Sequence, residues 1–240
     1  MQQYGKIGFG GTALLAAVCV LIFAVVRYNL AAASAAIAQI PATVIIDAGH
    51  GGEDGGATGI TGASESQINL ETALRLEQLL SFCGLDTLMI RTTDTAVYTG
   101  DCNTFSEKKV SDLKNRTALV NRTPSAILIS IHQNHFSQEK YSGPQVFYAK
   151  TDTSKALAQF MQDSLETILQ PSGHRACKPA TSVYLMEKIQ CPGVLVECGF
   201  LSNSREEALL QQPDYQKKIV CAIMAALSQY TEKGEQDLEI

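Results

Sequence analysis

The chain has 240 residues, a formal net charge of −5 at neutral pH and no tryptophan. It has no lysine-arginine cluster that would give it the electrostatic footprint of a nucleic-acid-binding protein, and its sparse aromatics argue against a base-stacking platform. The length fits one domain of about 200 residues plus an additional segment.

The additional segment lies at the N-terminus, where residues 7–26 form the uncharged apolar run "IGFGGTALLAAVCVLIFAVV". A helix of this length can span a bilayer, and it is longer than the apolar core of a typical cleaved signal peptide. Ala33-Ser34-Ala35 offers an alternative reading, a cleavage site. We expect residues 1–42 to form a membrane anchor or signal with a linker, which places the rest of the chain outside the cytoplasm.

The seven cysteines of the chain include no C-x-x-C pair. A thiolate zinc site is therefore not indicated. Export would permit disulfides, but the scattered spacing favours buried free thiols, and no pairing is predicted.

Apolar runs and amphipathic runs alternate from residue 43 onward. The predicted strands are "TVIIDA", "DTLMIRTTD", "SAILISIHQNH", "GPQVFYAK", "TSVYLM" and "CPGVLVECGF". The predicted helices are "SESQINLETALRLEQLLSFCG", "EKKVSDLKNRTALVNRT", "SKALAQFMQDSLETIL" and "DYQKKIVCAIMAALSQYTEK". Ser64 and Gln67 are spaced as a capping box for the first helix. The pattern predicts an α/β domain over 43–232, with a largely parallel sheet covered on both faces, and a loose acidic tail over 233–240.

Side chains that could bind a metal or take part in catalysis lie at the ends of three of the predicted strands. They are Asp47 and His50, then His132, Asn134 and His135, then Glu197. Sites in such sheets collect at the carboxyl ends of the strands. Two imidazoles and a carboxylate suit zinc, which takes three protein ligands and leaves a fourth position open.

The carboxylate that completes this set is not fixed by spacing. Glu53 and Asp54 lie in a loop with seven glycines between residues 49 and 62, and Glu65 lies in the first turn of the following helix. The helix dipole favours a carboxylate at that turn. Glu197 ends an apolar strand, where an unpaired carboxylate is costly and therefore indicates a partner or a chemical role.

Five motifs in order make the sequence similar to a known family. "IIDAGHGGEDGGATG", "ESQINLETALRL", "MIRTTD", "SIHQNH" and "LVECGFLSN" resemble those of the zinc-dependent N-acetylmuramoyl-L-alanine amidases, which are bacterial peptidoglycan hydrolases. The resemblance implies a mixed, mostly parallel sheet of about six strands between helices. It also implies one Zn²⁺ held by His50, Glu65 and His132, with Glu197 as the catalytic residue. Ala48 and His135 depart from the usual pattern, and neither departure removes a ligand.

The activity implied is hydrolysis of the amide between the lactyl group of N-acetylmuramic acid and L-alanine. Glu197 would accept a proton from water and pass it to the departing nitrogen. Asn134 and Arg91 are candidates for binding substrate. Alternatively, Asn134 fixes a turn and Arg91 pairs with Asp94.

The N-terminal segment and further local likenesses, such as "YSGPQVFYAK", resemble the spore-cortex branch of that family. This branch implies cortex peptidoglycan as substrate, muramic-δ-lactam formation and a role in germination. The alternatives are another zinc peptidoglycan hydrolase, such as a carboxypeptidase or deacetylase, and a non-catalytic wall-binding module. An envelope protein that controls the activity is a further expected partner.

Overall fold

The computed structural model describes residues 16–25, 27 and 42–238, with side chains described as far as Lys233. Within this part of the chain, no helix combines the length and the apolarity needed to cross a membrane. Residues 16–25 are helical, and much of the predicted span 7–26 lies outside the described residues.

Six strands and six further helices follow from residue 43. In chain order they are β1 (Thr43–Ala48), α1 (Glu65–Phe82), β2 (Thr87–Met89), α2 (Phe105–Arg122), β3 (Ala126–Asn134), β4 (Gln145–Tyr148), α3 (Asp152–Leu169), β5 (Lys178–Pro179), α4 (Tyr184–Lys188), β6 (Gly193–Phe200), α5 (Ser204–Leu210) and α6 (Pro213–Leu238). The last helix therefore covers most of the segment 233–240 that was expected to be loose.

The strands form one sheet in the order β2-β1-β3-β6-β4-β5. All neighbouring pairs are parallel except β4 with β6. The prediction of a mixed, mostly parallel sheet of about six strands covered by helices is confirmed. The carboxyl ends of β1, β3 and β6 consequently lie at the same edge of the sheet.

Side chains alternate between the two faces of each strand. On one face, Ile129 and Val196 join a large apolar cluster with α1, α3 and α6. On the other face, Leu128 and Leu195 join a smaller cluster with residues of α2 and α4. Towards the strand ends this second face becomes polar, so it is the face on which a site can form.

The run "TSVYLM" is not a strand. Tyr184–Lys188 is a short helix in which Leu185 and Met186 are buried against the smaller cluster, and the fifth strand is Lys178–Pro179. A short apolar run has no decisive periodicity, and leucine, methionine, glutamate and lysine favour a helix.

The predicted capping box at Ser64 is also wrong. Ser64 is the N-cap of α1, but its hydroxyl donates to the Gly55 carbonyl instead of capping the helix. A complete capping box occurs at α2, where Thr104 and Glu107 bond reciprocally. The short helix α5, capped by Asn203, was not predicted.

Candidate metal and catalytic site

His50 stands two residues beyond β1, with a backbone φ of 63°. This left-handed conformation is uncommon for a residue with a side chain and is found most often at functional sites. The Nδ1 atom of His50 lies 3.0 Å from Asp54 Oδ2, and its Nε2 atom lies 3.2 Å from Glu65 Oε1. Burial disfavours the charged ring, yet the adjacent carboxylates of Asp54 and Glu65 raise the pKa of His50 to about 9.

Glu65 opens α1, as expected for a carboxylate at a helix N-terminus. Its Oε2 accepts the Ala57 N–H at 2.8 Å, and its Oε1 accepts the Gln133 N–H at 3.2 Å. The Nδ1 atom of His132 lies 3.0 Å from the same Oε1. Burial opposes ionisation, but His132 and His50 hold the pKa of Glu65 well below its usual range.

His132 lies near the carboxyl end of β3 and is half-buried. Its ring centroid is 5.0 Å from that of His50, at an interplanar angle of 75°. One donor atom from each of His50, Glu65 and His132 lies within 4.8 Å of the others. The structure therefore brings together residues 50, 65 and 132, although Glu53 and Asp54 are nearer to His50 in sequence.

Two glycines make this close approach possible. A Cβ at Gly49 would lie 2.2 Å from His132 ring atoms, and a Cβ at Gly56 would lie 2.5 Å from Glu65 Oε2. Real Cβ atoms do not approach so closely, so the backbone occupies space that any side chain would fill. Two imidazoles and one carboxylate, gathered against glycine backbone, match the donor set and the spacing that a zinc ion requires.

Glu197 lies on β6, where its cross-strand partner is His132. The pairing then shifts, since Asn134 is opposite Phe200, so β6 carries an extra residue after Glu197. Such bulges re-aim side chains next to active sites. The Oε2 atom of Glu197 is buried with no hydrogen-bond partner, and burial raises the pKa of Glu197 to about 7. This carboxyl group can therefore gain and lose a proton near neutral pH.

A buried ion pair between Arg116 and Asp47 fixes the backbone that leads to His50. The Arg116 guanidinium binds Asp47 on β1 and donates to the His50 carbonyl at 2.7 Å. Ser130 on β3 donates to the other Asp47 oxygen at 2.6 Å, and Asp112 also binds Arg116. Burial opposes ionisation of Asp47, but Arg116 holds its pKa below the usual range. The sequence reading missed the role of Arg116.

Arg91, a candidate for substrate binding, binds main-chain carbonyls of the protein instead. Its guanidinium is buried and donates to the carbonyls of Ala48, Gly49, Ser66 and Thr93. The bonds to Ala48, Gly49 and Ser66 fix the backbone around His50 and the start of α1. The expected pair with Asp94 is loose, at 3.8 Å. Arg91 therefore stabilises the glycine loop.

Asn134 and His135 lie at the carboxyl end of β3, and neither lines the cleft around the metal donors. Asn134 ends β3 and is half-buried, and its carbonyl accepts the Leu201 N–H at 2.8 Å. His135 is exposed and is not part of the cluster of three donors. Beside the donors lies a cleft of about 250 Å³ lined by Asp54, Lys109 and Glu197 among others. A substrate can reach both the donor cluster and Glu197 through this cleft.

The sequence profile of the N-acetylmuramoyl-L-alanine amidases matches residues 44–229. The chain belongs to this family. The predicted enzyme class is thereby confirmed, and the matched segment contains all the residues of the site described above. The family is generally zinc-dependent, in agreement with the donor set at His50, Glu65 and His132.

The chain is also similar to individual amidases of known sequence and structure. The germination-specific N-acetylmuramoyl-L-alanine amidase of Bacillus subtilis is 37% identical over 194 residues, which cover 80% of this chain and 81% of that protein. The CwlD amidase of Clostridioides difficile, solved in complex with the GerS lipoprotein, is 37% identical with a TM-score of 0.77, covering 80% of this chain and 99% of that one. An N-acetylmuramoyl-L-alanine amidase of Clostridium difficile 630 is 29% identical with a TM-score of 0.70, covering 80% and 97%.

Proposed function

We propose that this amidase hydrolyses the bond between the lactyl group of N-acetylmuramic acid and the L-alanine of peptidoglycan stem peptides, using one Zn²⁺. His50, Glu65 and His132 would hold the ion, and Glu197 would be the catalytic acid-base. The observation that carries the proposal is the meeting of three donor atoms within 4.8 Å beside a buried carboxyl group that has an unpartnered oxygen.

The protein residues have separable tasks in this reaction. Zinc, when bound, supplies Lewis acidity towards the amide carbonyl and towards water. Glu197 accepts a proton from the attacking water and donates it to the departing alanine nitrogen. Both transfers are favoured by a pKa of about 7, because a group with that pKa is neither fully protonated nor fully ionised at neutral pH. Arg91 and Arg116 fix the backbone that carries His50.

Spore-cortex peptidoglycan is the proposed substrate. The germination-specific name of the Bacillus subtilis relative and the similarity to CwlD support this assignment. In this scheme, removal of the stem peptide leaves N-acetylmuramic acid with a free lactyl carboxyl group, and a separate deacetylase converts it to the δ-lactam. Because CwlD was solved with a lipoprotein, we also propose an envelope protein as a partner that controls the activity.

The site of action is proposed to be extracytoplasmic, because the substrate lies there. The apolar run at 7–26 would serve as an anchor or as a secretion signal. Protease treatment of forespores from which the outer membrane has been removed, followed by detection of the domain over 43–232, tests this. Protection of the domain in these forespores would contradict it.

The decisive experiment for activity is digestion of purified cortex fragments with zinc-loaded and chelator-treated protein, followed by mass analysis of the products. We expect intact stem peptides to be released only by the zinc-loaded protein, at one Zn²⁺ per chain. Shortened stem peptides would indicate a carboxypeptidase, and loss of acetyl groups would indicate a deacetylase. Binding of cortex without any product would indicate a non-catalytic wall-binding module.

A further inference from the structure

A second groove opens beside the catalytic site, on the side of the sheet occupied by β4 and β5. Its volume is about 490 Å³, and its lining includes Lys140, Gln145, Arg175 and Lys178. It shares no lining residue with the cleft around the three metal donors. Nothing in the proposed reaction uses these cations.

Strand pairing places this groove relative to Glu197. Gln145 of β4 is the antiparallel partner of Glu197, so both side chains lie on the same face of the sheet. Lys178 of β5 pairs with Phe147 of β4, which packs on that same face. The polar face therefore continues from the metal donors through Glu197 to Gln145 and Lys178.

Arg175 is held in the groove beside Gln145, the residue that pairs with Glu197. Its Nη1 donates to Gln145 Oε1 at 3.1 Å, and its Nε donates to the Ser142 carbonyl at 3.0 Å. The guanidinium also lies over the Phe200 ring, 4.7 Å from the centroid, and near the ring of Tyr141. These contacts leave Nη2 without a hydrogen-bond partner among the described residues, so it can donate to a ligand.

The three cations of the groove outnumber the two carboxylates that lie beside it. Lys140 and Lys178 are exposed and have no carboxylate partner among the described residues. Two carboxylates, Glu166 and Glu206, lie beside Arg175 and offset part of its charge, whereas neither forms an ion pair with Lys140 or Lys178. Glu166 accepts from the Arg175 main chain and contacts His174, and Glu206 accepts two main-chain N–H groups.

The opposite side of the catalytic site has lysines as well, but they are paired. Lys108 binds Glu53 at 2.6 Å, and Lys109 binds Asp54 at 3.2 Å. The unpaired cations therefore lie only on the β4–β5 side, among the described residues that line these grooves. The sugar chain around the scissile amide is uncharged, whereas stem peptides carry carboxylates. The stem-peptide end of the substrate is therefore anionic, the sugar end is not, and the unpaired cations of the protein lie on one side of the site.

The geometry points to a carboxylate-binding subsite, formed by Lys140, Arg175 and Lys178, that receives the stem peptide and orients the substrate across β4 and β5. The inference rests on the proposed function. An extended peptide advances about 3.3–3.6 Å per residue, so the α-carboxylate of the second residue lies about 7 Å beyond the cleaved bond. Strands are about 4.8 Å apart, so that distance reaches one to two strands from Glu197, where the groove is.

The test compares two disaccharide tetrapeptides that differ only in the α-carboxyl group of the second residue, free in one and a carboxamide in the other. The zinc-loaded full chain should show a KM about five- to tenfold lower for the carboxylate form, as expected for two exposed charge contacts. Lys140→Ala with Lys178→Ala should lose that preference. Lys178→Glu, at an exposed position, should reverse it.

A charge-matched control is Lys217→Ala with Lys218→Ala, on α6 against the other face of the sheet. This variant should keep the wild-type preference, since both lysines are exposed and lie outside the groove. Equal KM values for the two substrates in the wild type would overturn the subsite and leave the amidase assignment intact. Failure of the wild type to cleave either substrate would overturn the proposed function and the subsite with it.

Discussion

The two faces of the sheet are made from the same strands and differ in how far their apolar character extends. On the face covered by α1, α3 and α6, residues such as Ile131 and Cys198 continue the apolar cluster to the strand ends. On the other face, Leu128 is followed by Ser130 and His132, and Leu195 is followed by Glu197. The comparison shows that one face provides the core and the other combines a small core with the reactive groups.

The largest expected effect comes from removing a metal donor on the polar face. His50→Ala should lose bound zinc and lose hydrolysis to the level of the chelator-treated protein, because only two of the three donors remain. Metal analysis of the purified variant and mass analysis of its products measure both. A variant that retains full zinc occupancy would remove His50 from the ligand set.

Glu197→Gln separates catalysis from metal binding on the same face. We expect zinc content to stay at the wild-type level and turnover to fall about 10²–10⁴-fold, because glutamine cannot accept the proton. The circular dichroism spectrum should be unchanged, since the two side chains have the same shape. Wild-type turnover in this variant would contradict the acid-base assignment.

Arg116→Met tests the buried charges beneath the site. Removing one partner leaves Asp47 buried and unpaired, so the free energy of unfolding should fall by about 3–5 kcal/mol. Urea denaturation measures this loss. The matched change on the apolar face, Ile129→Val, should cost only about 0.5–1.5 kcal/mol.

A double variant sharpens that result. Asp47→Asn combined with Arg116→Met removes both charges and should recover part of the stability lost by Arg116→Met alone. If the double variant were less stable than the single one, the unpaired Asp47 charge would not be the source of the loss.

A smaller effect is expected from the pH dependence of stability in the metal-free protein. Burial raises the pKa of Glu197 from 4.5 to about 7, so the folded state binds more protons than the unfolded state between these values. The contribution of Glu197 to stability is therefore full below pH 4.5 and is lost as pH rises through 7. The loss amounts to at most about 3 kcal/mol. Glu197→Gln should lack this component when urea midpoints are compared from pH 5 to 8.

Much of the fold follows from the sequence, because buried strands need continuous apolar runs and covering helices need an apolar stripe. The same reasoning fails where a run is short. "TSVYLM" satisfies either pattern, and Tyr184–Lys188 is helical with Leu185 and Met186 packed on the smaller cluster. Ser64 fails for a different reason, since its hydroxyl is turned towards the Gly55 carbonyl and that contact comes from the fold.

Some residues of the site could be predicted from the sequence and others could not. His50, His132 and Glu197 could be proposed because each follows or ends an apolar strand, but the choice of Glu65 over nearer carboxylates depended on the family resemblance. Arg116 could not be found, because its partner Asp47 lies 69 residues away and an arginine on a polar helix carries no local signal. The backbone role of Arg91 was hidden for the same reason.

The close approach of the Gly49 backbone to the His132 ring makes this glycine essential to the geometry of the site. Glycine contributes no functional group, yet a single methyl there would occupy the volume of the His132 ring. A saturation library screened for activity should therefore tolerate no replacement at position 49, as at the positions of the imidazoles themselves. The screen would then identify residue 49 as essential because of its size alone, although it takes no part in the chemistry.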